Sequence, residues 1–398
     1  MLNKKNLIIL LSFGILLRIF AIHYFGDPRV HHEWLKIINN LVEFKIFALR
    51  SIDGNLVETI FMPPLYPFIL YFIKLIIIQD KYFFEIIFYF QLIISLLSTF
   101  FLYKILRNFF DKKISQIGIL VFYFFPLNIY SISQISSVAL QVFLIIIFFY
   151  FYIEIKKKLS VKGIILFSSV SAALMLLRGE FFLIYIMTLF FVFFKKKPKY
   201  IIFSLIVSTI IVSPYLIRNF IVFDTIGVTK SSGFNLWKGN NINSTVEGSD
   251  VIYSKNLENQ IKKIKPNSKY EIELDLIFKE EALKNIKSDP GRYIVLYINK
   301  VFSFLLFNPK SNYPNYYNIF HILPKIIISL FCLAGMFLAA LKNRKMNYFI
   351  YYYFFNIFLF SIFFILPRYS LALLPIQIIF LCYFFKNTKI KFFRLIPR

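Results

Sequence analysis

The sequence predicts an all-α polytopic membrane protein. Hydrophobic residues make up 59% of its 398 positions, and the mean hydropathy is +0.68. Apolar runs approaching the roughly 20 residues that a helix needs to cross a bilayer recur along the chain. So many runs, separated by so few polar stretches, cannot share one soluble core, which excludes a soluble globular fold.

The basic residues predict the topology. The formal net charge is +26, but the lysines and arginines cluster in short tracts between apolar runs. Because they do not form one basic face, we do not expect nucleic acid as a partner. The positive-inside rule places these tracts and both termini in the cytoplasm, as expected for a multi-pass protein of the inner (plasma) membrane. The tracts are Lys4-Lys5, 156–158, 195–199, 342–345 and the tail 386–398.

With these tracts held on one side, about ten apolar segments are predicted to span the membrane. The first has no small-residue cleavage site, which favours a retained span over a signal peptide. If either of two shorter segments, 64–78 and 293–307, crossed the membrane alone, the basic tracts between them would lie on the opposite side. We therefore expect both segments to be interfacial or re-entrant. The spans are predicted near 6–24, 83–106, 116–131, 136–154, 161–177, 181–195, 199–215, 323–341, 347–366 and 370–386.

The chain is predicted to form a single domain, 1–398, with two large periplasmic loops. The first loop, 25–63, is acidic, and the second, 216–322, precedes the C-terminal spans in 323–398. A helix is expected at about 269–288. The stretch 240–268 is rich in Asn, Ser and Lys with little periodicity, which indicates a mobile loop over the membrane surface.

The sequence assigns no metal or cofactor. The two cysteines, Cys332 and Cys382, lie inside apolar spans and predict neither a disulfide nor a zinc site. The pair His31-His32 is a weak metal signal because adjacent helix positions point about 100° apart. A Gly-rich phosphate loop is absent, as expected for a reaction without a nucleotide. Whether a divalent ion takes part is left open.

Charged residues at the outer ends of the spans point to group transfer. The first loop offers Asp27 and Glu33, and the candidate arginines at the ends of apolar segments are Arg18, Arg178, Arg218 and Arg368. A carboxylate could take the proton of an acceptor hydroxyl, while arginines offset the charge that develops on a departing phosphate. This combination suits transfer from a lipid phosphate carrier.

Some of these residues have a structural alternative. Arg178 and Glu180 stand between two apolar runs, and they could form an ion pair that marks the turn. Trp237 could be an aromatic-belt residue, although its neighbours Asn235 and Asn240 are not needed by a membrane anchor.

Short motifs follow one another in order across most of the chain. They are Arg18, Glu33-Trp34, PPLYP at 63–67, Arg178 with Glu180, SPYLIRN at 213–219, GFNLWKGNN at 233–241 and PRYSLALLP at 367–375. Together they resemble the bacterial branch of the GT-C membrane glycosyltransferases. That family includes protein O-mannosyltransferases, lipid A aminoarabinose transferases and transferases of the lipopolysaccharide core.

The resemblance implies a GT-C-like bundle with periplasmic juxtamembrane helices and an inverting sugar transfer. The donor would be a polyprenyl-phosphate sugar, and the acceptor a glycolipid or protein in or at the membrane. Family members place an aspartate before the acid-aromatic pair, where this chain has His31 and His32. The general base is therefore Glu33, which we favour, or Asp27.

The resemblance also implies the remaining roles. Arg178, Arg218 and Arg368 would bind the donor phosphate. Relatives often carry a glutamate in the outer turn at 131–141, which this chain lacks, leaving Glu180 as the nearest substitute. The predicted substrate pocket contains Glu180, Asn219, Asn235, Trp237, Asn240 and Tyr66.

Two other functions fit the same span count and charge. A lipid or polysaccharide transporter usually has an internal repeat and polar residues at mid-span, neither of which we find here. An O-antigen-polymerase-like protein would differ in its loop arginines. The sequence does not determine the sugar or the acceptor, which could be lipid-linked, lipopolysaccharide or protein.

Overall fold

A computed structural model describes residues 4–27, 32–52, 54–77, 79–194, 197–252, 254–313 and 318–388, and these residues are mostly helical. The helices up to the second large loop are α1 (Lys4–Phe25), α2 (His32–Glu43), α3 (Leu65–Ile76), α4 (Asp80–Phe109), α5 (Lys112–Tyr123), α6 (Pro126–Ser131), α7 (Val138–Lys157), α8 (Val161–Leu177), α9 (Phe181–Phe193) and α10 (Lys199–Phe223). The later helices are α11 (Ser232–Asn240), α12 (Lys255–Lys262), α13 (Tyr270–Ser288), α14 (Pro290–Leu305), α15 (Ile319–Lys342), α16 (Asn347–Ser361) and α17 (Leu374–Asn387), with 3₁₀ segments at Arg344–Met346 and Pro367–Leu373.

Six helical stretches within the described residues are long and apolar enough to cross a membrane, which makes this a membrane-embedded helical protein. They lie in α1, α4, α7, α10, α15 and the continuous segment Pro367–Asn387. Helices α3, α8 and α9 are apolar but shorter. Helix α5 has 12 residues, so it extends about 18 Å, less than the roughly 30 Å of a hydrocarbon core. The count of about ten spans stays a prediction.

Apolar side chains on two of the long helices face outward. On α10, Ile202, Ile206 and Ile210 are 63%, 52% and 65% exposed, and they follow one another at the four-residue spacing of one helix face. Leu16 and Phe20 on α1 are similarly exposed. In water such stripes would be unfavourable, whereas lipid tails solvate them.

Lysines from two of the basic tracts, 156–158 and 386–398, lie at one end of the bundle. Lys157 Nζ donates to Asn108 Oδ1, Lys386 Nζ donates to the carbonyl of Phe109, and Lys156 Nζ donates to that of Phe191. Helix α8 begins beside this end and, with 17 residues, carries the chain about 25 Å to the opposite end. The bundle therefore has a lysine-rich end and, at the far end of α8, an opposite end that we call the outer end.

Arg18 is buried inside the bundle rather than at a site. It is 0% exposed, and its guanidinium donates to the carbonyls of Gly14 and Tyr123 and to Ser95 Oγ, at 3.1, 2.8 and 3.3 Å. The guanidinium also lies 4.1 Å from the centroid of the Tyr123 ring. Arg18 therefore ties α1 to α4 and α5, since charge inside a bundle requires such satisfied partners.

The first large loop folds into a helix and a hairpin that the all-α prediction missed. Strands β1 (Ala48–Ile52) and β2 (Asn55–Glu58) pair antiparallel, and Gly54 has a φ of +81° in the turn. The Asp53-Gly54 dipeptide is a recognised hairpin signal in the sequence, and Asp53 itself lies outside the described residues. The amphipathic α2 packs Ile37 and Leu41 over this hairpin.

The second large loop is more ordered than predicted. The helix expected at about 269–288 is confirmed as α13. The prediction of a mobile loop at 240–268 was wrong for α12, which buries Leu257 against Trp237 and Phe278. Helix α14 exposes an apolar face that includes Ile294 and Ile298 and buries Lys300, as a helix lying along a membrane surface would.

Candidate functional site

A cavity of about 830 Å³ lies at the outer end of the bundle. The ends of α8 and α16, the middle of α10, the start of α9, the first loop and α11 form its walls. Its polar and charged lining residues are Glu33, Arg178, Glu180, Ser208, Thr209, Thr229, Ser231, Ser232, Asn235, Lys238, Tyr313, Arg368 and Tyr369. The size is typical of a small-molecule site.

Glu33 reaches this cavity from the first turn of α2. A carboxylate in that position interacts favourably with the helix dipole. The part of the chain that the structure describes gives its carboxylate neither a hydrogen-bond nor an ion-pair partner. Glu33 is therefore available to a ligand.

Arg178 ends α8, where its backbone turns from helical to extended, and its side chain enters the cavity. Its Nη1 lies 3.9 Å from Glu180 Oε1, so the ion pair considered from the sequence is present but long. Its Nε is buried and lacks a hydrogen-bond partner among the described residues. The guanidinium carbon is 5.4 Å from the centroid of the Tyr369 ring, which orients the group.

Arg368 and Asn235 complete the polar lining contributed by the predicted residues. Arg368 is half-buried on the 3₁₀ segment Pro367–Leu373, and the described part of the chain offers its guanidinium no partner. Asn235 lies on α11, and its backbone N–H donates to Ser231 O while its side-chain amide faces the cavity lining. Both groups are available for binding.

The part of the cavity along α10 is mainly apolar. Helix α10 contributes Leu205, Val212 and Leu216, which cover about 16 Å along its axis, with Ser208 and Thr209 between them, and α16 contributes Leu359 and Phe360. One cavity thus joins a charged outer end to an apolar channel that runs along the bundle. Such a shape fits an amphiphilic molecule with a polar head.

Arg218 does not line the cavity. Its Nη1 donates to Thr59 O and to Asn219 Oδ1, both at 2.9 Å, and its Nη2 lies 3.5 Å from Glu58 Oε1. Asn219 is fully buried, and its Nδ2 donates to Gly227 O at 2.7 Å. In this structure Arg218 ties the outer end of α10 to the first loop, and Asn219 ties it to the start of the second.

Trp237 and Asn240 are also held inside the protein. Trp237 is 2% exposed and packs against Phe278 with ring centroids 4.5 Å apart, so it is neither a belt residue nor a cavity residue here. Asn240 Nδ2 donates to the carbonyls of Leu236 and Ile362, at 2.8 and 2.9 Å. Its Oδ1 accepts from Lys300 Nζ. These side chains position α11.

Tyr66 and Asp27 lie apart from the cavity as well. The Tyr66 ring is 1% exposed and packs edge-on against Trp34, and its hydroxyl donates to Gln91 Oε1 at 3.4 Å. Asp27 follows α1, and its backbone N–H donates to Ser133 O at 3.4 Å. Of the two predicted bases, the structure places Glu33 in the cavity. His31 and the side chain of His32 lie outside the described residues.

Several cavity residues were not predicted. Lys238, which pairs with Asp250 at 3.2 Å, and Tyr369 both lie within motifs that the sequence singles out, so the signal was present. Tyr313 had no such signal. Lys300, which sequence reasoning treated only as part of an interfacial segment, is fully buried and donates to Gly239 O at 2.7 Å.

Within the described ranges, no group of three or more His, Cys, Asp and Glu side chains could hold a metal ion. Comparison of the chain with protein-family models, with curated proteins and with solved structures finds no match. The likeness to GT-C enzymes therefore rests on the short motifs alone.

Proposed function

We propose that this protein is a membrane glycosyltransferase. It moves a sugar from a polyprenyl-phosphate donor to a lipid-linked, lipopolysaccharide or protein acceptor, with inversion at the anomeric carbon. The observation that carries this proposal is the grouping, in one cavity, of an unpartnered carboxylate on Glu33 with the cations of Arg178 and Arg368. The motifs that resemble GT-C enzymes support the same reading.

The cavity matches the parts of such a donor. The apolar channel beside α10 accommodates the first isoprene units, and Arg178 and Arg368 bind the phosphate. Asn235 and Ser232, on the polar side, are placed to hydrogen-bond the sugar or the acceptor. Tyr369 orients Arg178 through the contact between its ring and the guanidinium.

The reaction needs one base and one stabilised leaving group. Glu33 takes the proton of the acceptor hydroxyl while the hydroxyl oxygen forms a bond to the anomeric carbon. The bond from that carbon to the phosphate oxygen breaks, and polyprenyl phosphate leaves with the electron pair. Arg178 and Arg368 offset the charge that develops on the phosphate. The transition state has oxocarbenium character, as in glycoside cleavage.

The same reading gives the orientation. The lysine-rich end faces the cytoplasm by the positive-inside rule, so the cavity at the outer end faces the periplasm. Acceptors of the cell envelope would approach from that side, and the lipid donor would enter from the outer leaflet of the inner membrane. The transporter and polymerase alternatives lack a specific observation in their favour.

The decisive experiment measures transfer of radiolabelled sugar from defined polyprenyl-phosphate donors to membrane extract by purified protein. We expect Glu33→Gln to lower turnover by at least about 100-fold, the usual contribution of a general base. Asp27→Asn and the matched control Glu43→Gln, an exposed acid on the same helix α2, should stay within about threefold of wild type.

Donor binding separates catalysis from folding in this experiment. The Glu33→Gln protein should still bind polyprenyl phosphate, measured by scintillation proximity with labelled lipid. Loss of turnover in Asp27→Asn alone would move the base to Asp27. If wild type transfers no sugar from any donor, the enzyme proposal fails and a transporter becomes the function to test.

A further inference from the structure

Helix α13 carries two buried carboxylates one turn apart. Glu271 is 2% exposed and Asp275 is 8% exposed, and their four-residue spacing puts them on the same helix face. Neither forms an ion pair with any residue that the structure describes, although Arg50 interacts electrostatically with Glu271, and Lys230 and Lys279 do so with Asp275. Burying a carboxylate is costly, and hydrogen bonds offset that cost here.

Glu271 binds the first loop. Its Oε2 accepts from the backbone N–H groups of Ile60 and Phe61, at 2.8 and 2.9 Å, and from Thr59 Oγ1 at 2.8 Å. Burial raises the pKa of the Glu271 carboxyl, and the Ile60 amide and the Thr59 hydroxyl oppose that rise. Phe61 and the next two residues, Met62 and Pro63, line the cavity.

Asp275 binds the second loop. Its Oδ1 accepts from the backbone N–H of Phe234 at 2.9 Å, in the first turn of α11. Helix α11 approaches α13 so closely there that a Cβ on Gly233 would lie 2.0 Å from the Asp275 carbonyl oxygen. Phe234 and Asn235 line the cavity next to the first loop, and the Phe234 ring packs edge-on against that of Phe61 with centroids 5.6 Å apart.

We propose that Glu271 and Asp275 are positioning residues that set the separation between the first-loop wall and the α11 wall of the cavity. Each carboxylate accepts hydrogen bonds from the backbone of one wall. The helical turn of α13 between the two residues sets the distance between them at about 6 Å along the helix axis. The two walls belong to loops far apart in sequence, so α13 holds them at a fixed position relative to each other. The inference requires the cavity alone and does not depend on sugar transfer.

Amide hydrogen exchange on the full chain in lipid nanodiscs tests the proposal, because it reports the opening of each wall separately. Glu271→Leu removes the acceptor, and we expect exchange at Ile60 and Phe61 to rise by about tenfold or more while Phe234 keeps its protection. Glu271→Gln retains an acceptor oxygen and should restore most of the protection. Asp275→Leu should expose the amide of Phe234 and leave that of Ile60, with Asp275→Asn as its conservative counterpart.

The control is Glu273→Leu, at an exposed acid on the same helix, which should change neither wall. If both walls open together in each leucine variant, α13 has a general stabilising role and the proposal is wrong. No change in either wall, or no difference between leucine and the amide variants, also overturns it. Should Glu271→Leu fail to fold, Thr59→Val removes one donor at constant shape. Exchange confined to the first-loop wall should then rise about two- to threefold, and an unchanged rate would contradict the proposal.

Discussion

Arg178 and Arg218 both stand at the outer ends of apolar helices, yet their guanidinium groups have different surroundings. Arg178 faces the cavity with a buried Nε that has no partner in the described structure, and its ion pair with Glu180 is 3.9 Å long. Arg218 has three partners in the protein, Thr59 O, Asn219 and Glu58. A residue with unused buried donors is suited to ligand binding, whereas one whose two terminal nitrogens both bind the protein is suited to holding the fold.

Methionine substitutions should separate these two roles. We expect Arg178→Met and Arg368→Met each to weaken binding of polyprenyl phosphate by roughly 10- to 100-fold, the equivalent of a charged hydrogen bond of about 1.5–3 kcal/mol. Arg218→Met should leave affinity within about threefold but lower the melting temperature. Scintillation proximity and thermal unfolding in detergent measure the two effects. Equal loss of affinity in Arg218→Met at unchanged stability would return Arg218 to the binding site.

Lys300 predicts a pH dependence of stability. Burial lowers the pKa of its ammonium from 10.5 to about 7. Between these two pKa values the unfolded chain holds a proton that the folded chain has released, so the free energy of unfolding rises with pH across that window. Below about pH 7 both states are protonated, and the contribution is constant.

We therefore expect Lys300→Met to flatten the rise in melting temperature between pH 7 and pH 9. Thermal unfolding of wild type and variant in the same detergent measures it, and Lys284→Met, at an exposed lysine of α13, serves as control. A slope in Lys300→Met equal to that of wild type would show that Lys300 does not titrate in this way.

At the scale of elements, α11 is held at both ends by close backbone approach. Its first turn meets α13 at Gly233, and its last turn meets the segment after α16, where a Cβ on Gly239 would lie 2.0 Å from the Phe363 carbonyl oxygen. Lys300 and Asn240 add hydrogen bonds at that second end. The glycines and amides of this motif thus place a helix whose opposite side lines the cavity.

Gly239→Ala should destabilise the protein, because backbone must move to accept the methyl group. We expect a cost of about 1–3 kcal/mol, typical of overpacking, seen as a lower melting temperature. The control is Gly291→Ala in the first turn of α14, where an added Cβ would meet only Asp289 Oδ1 at 3.8 Å. That change should be neutral or stabilising, since alanine favours a helix. Equal melting temperatures for the two variants would contradict the close packing at Gly239.

At the scale of the whole molecule, the lysine-rich end and the cavity end should lie on opposite sides of the membrane. Both native cysteines are buried, so we expect the wild-type chain to react little with a maleimide. We expect Asp250→Cys and Lys284→Cys to react with a membrane-impermeant maleimide added to intact spheroplasts. Lys157→Cys should react only after the membrane is opened. Labelling of all three in intact spheroplasts would refute the proposed orientation.

Much of the helical framework could be predicted from the sequence, because helix formation in apolar segments depends on residues close together in the chain. Most predicted spans fall on single helices, because long apolar runs in lipid must satisfy their backbone internally, whatever their neighbours are. The span predicted at 116–131 is an exception, since it is divided between α5 and α6. The hairpin at β1 and β2 and the short α12 were missed because their hydrophobic runs are brief and their stability comes from packing. Leu257, for example, is buried by Trp237, a residue of another helix.

The candidate site was predicted in part. Glu33, Arg178, Glu180, Asn235 and Arg368 do meet in one cavity. Arg218, Asn219, Trp237, Asn240 and Tyr66 lie in the same motifs but turn inward or bind backbone. Motif membership places a residue at the outer end of the bundle, but does not say which way its side chain points.

The sequence by itself determined the class of protein and the position of most helices. These properties depend on composition and on periodicity within single segments. Only the tertiary structure decided which charged side chains line the cavity without a protein partner and which form hydrogen bonds or ion pairs within the protein. The partners of Arg218 and Glu271 lie about 160 and 210 positions away in the chain, and no local pattern in the sequence encodes such pairings.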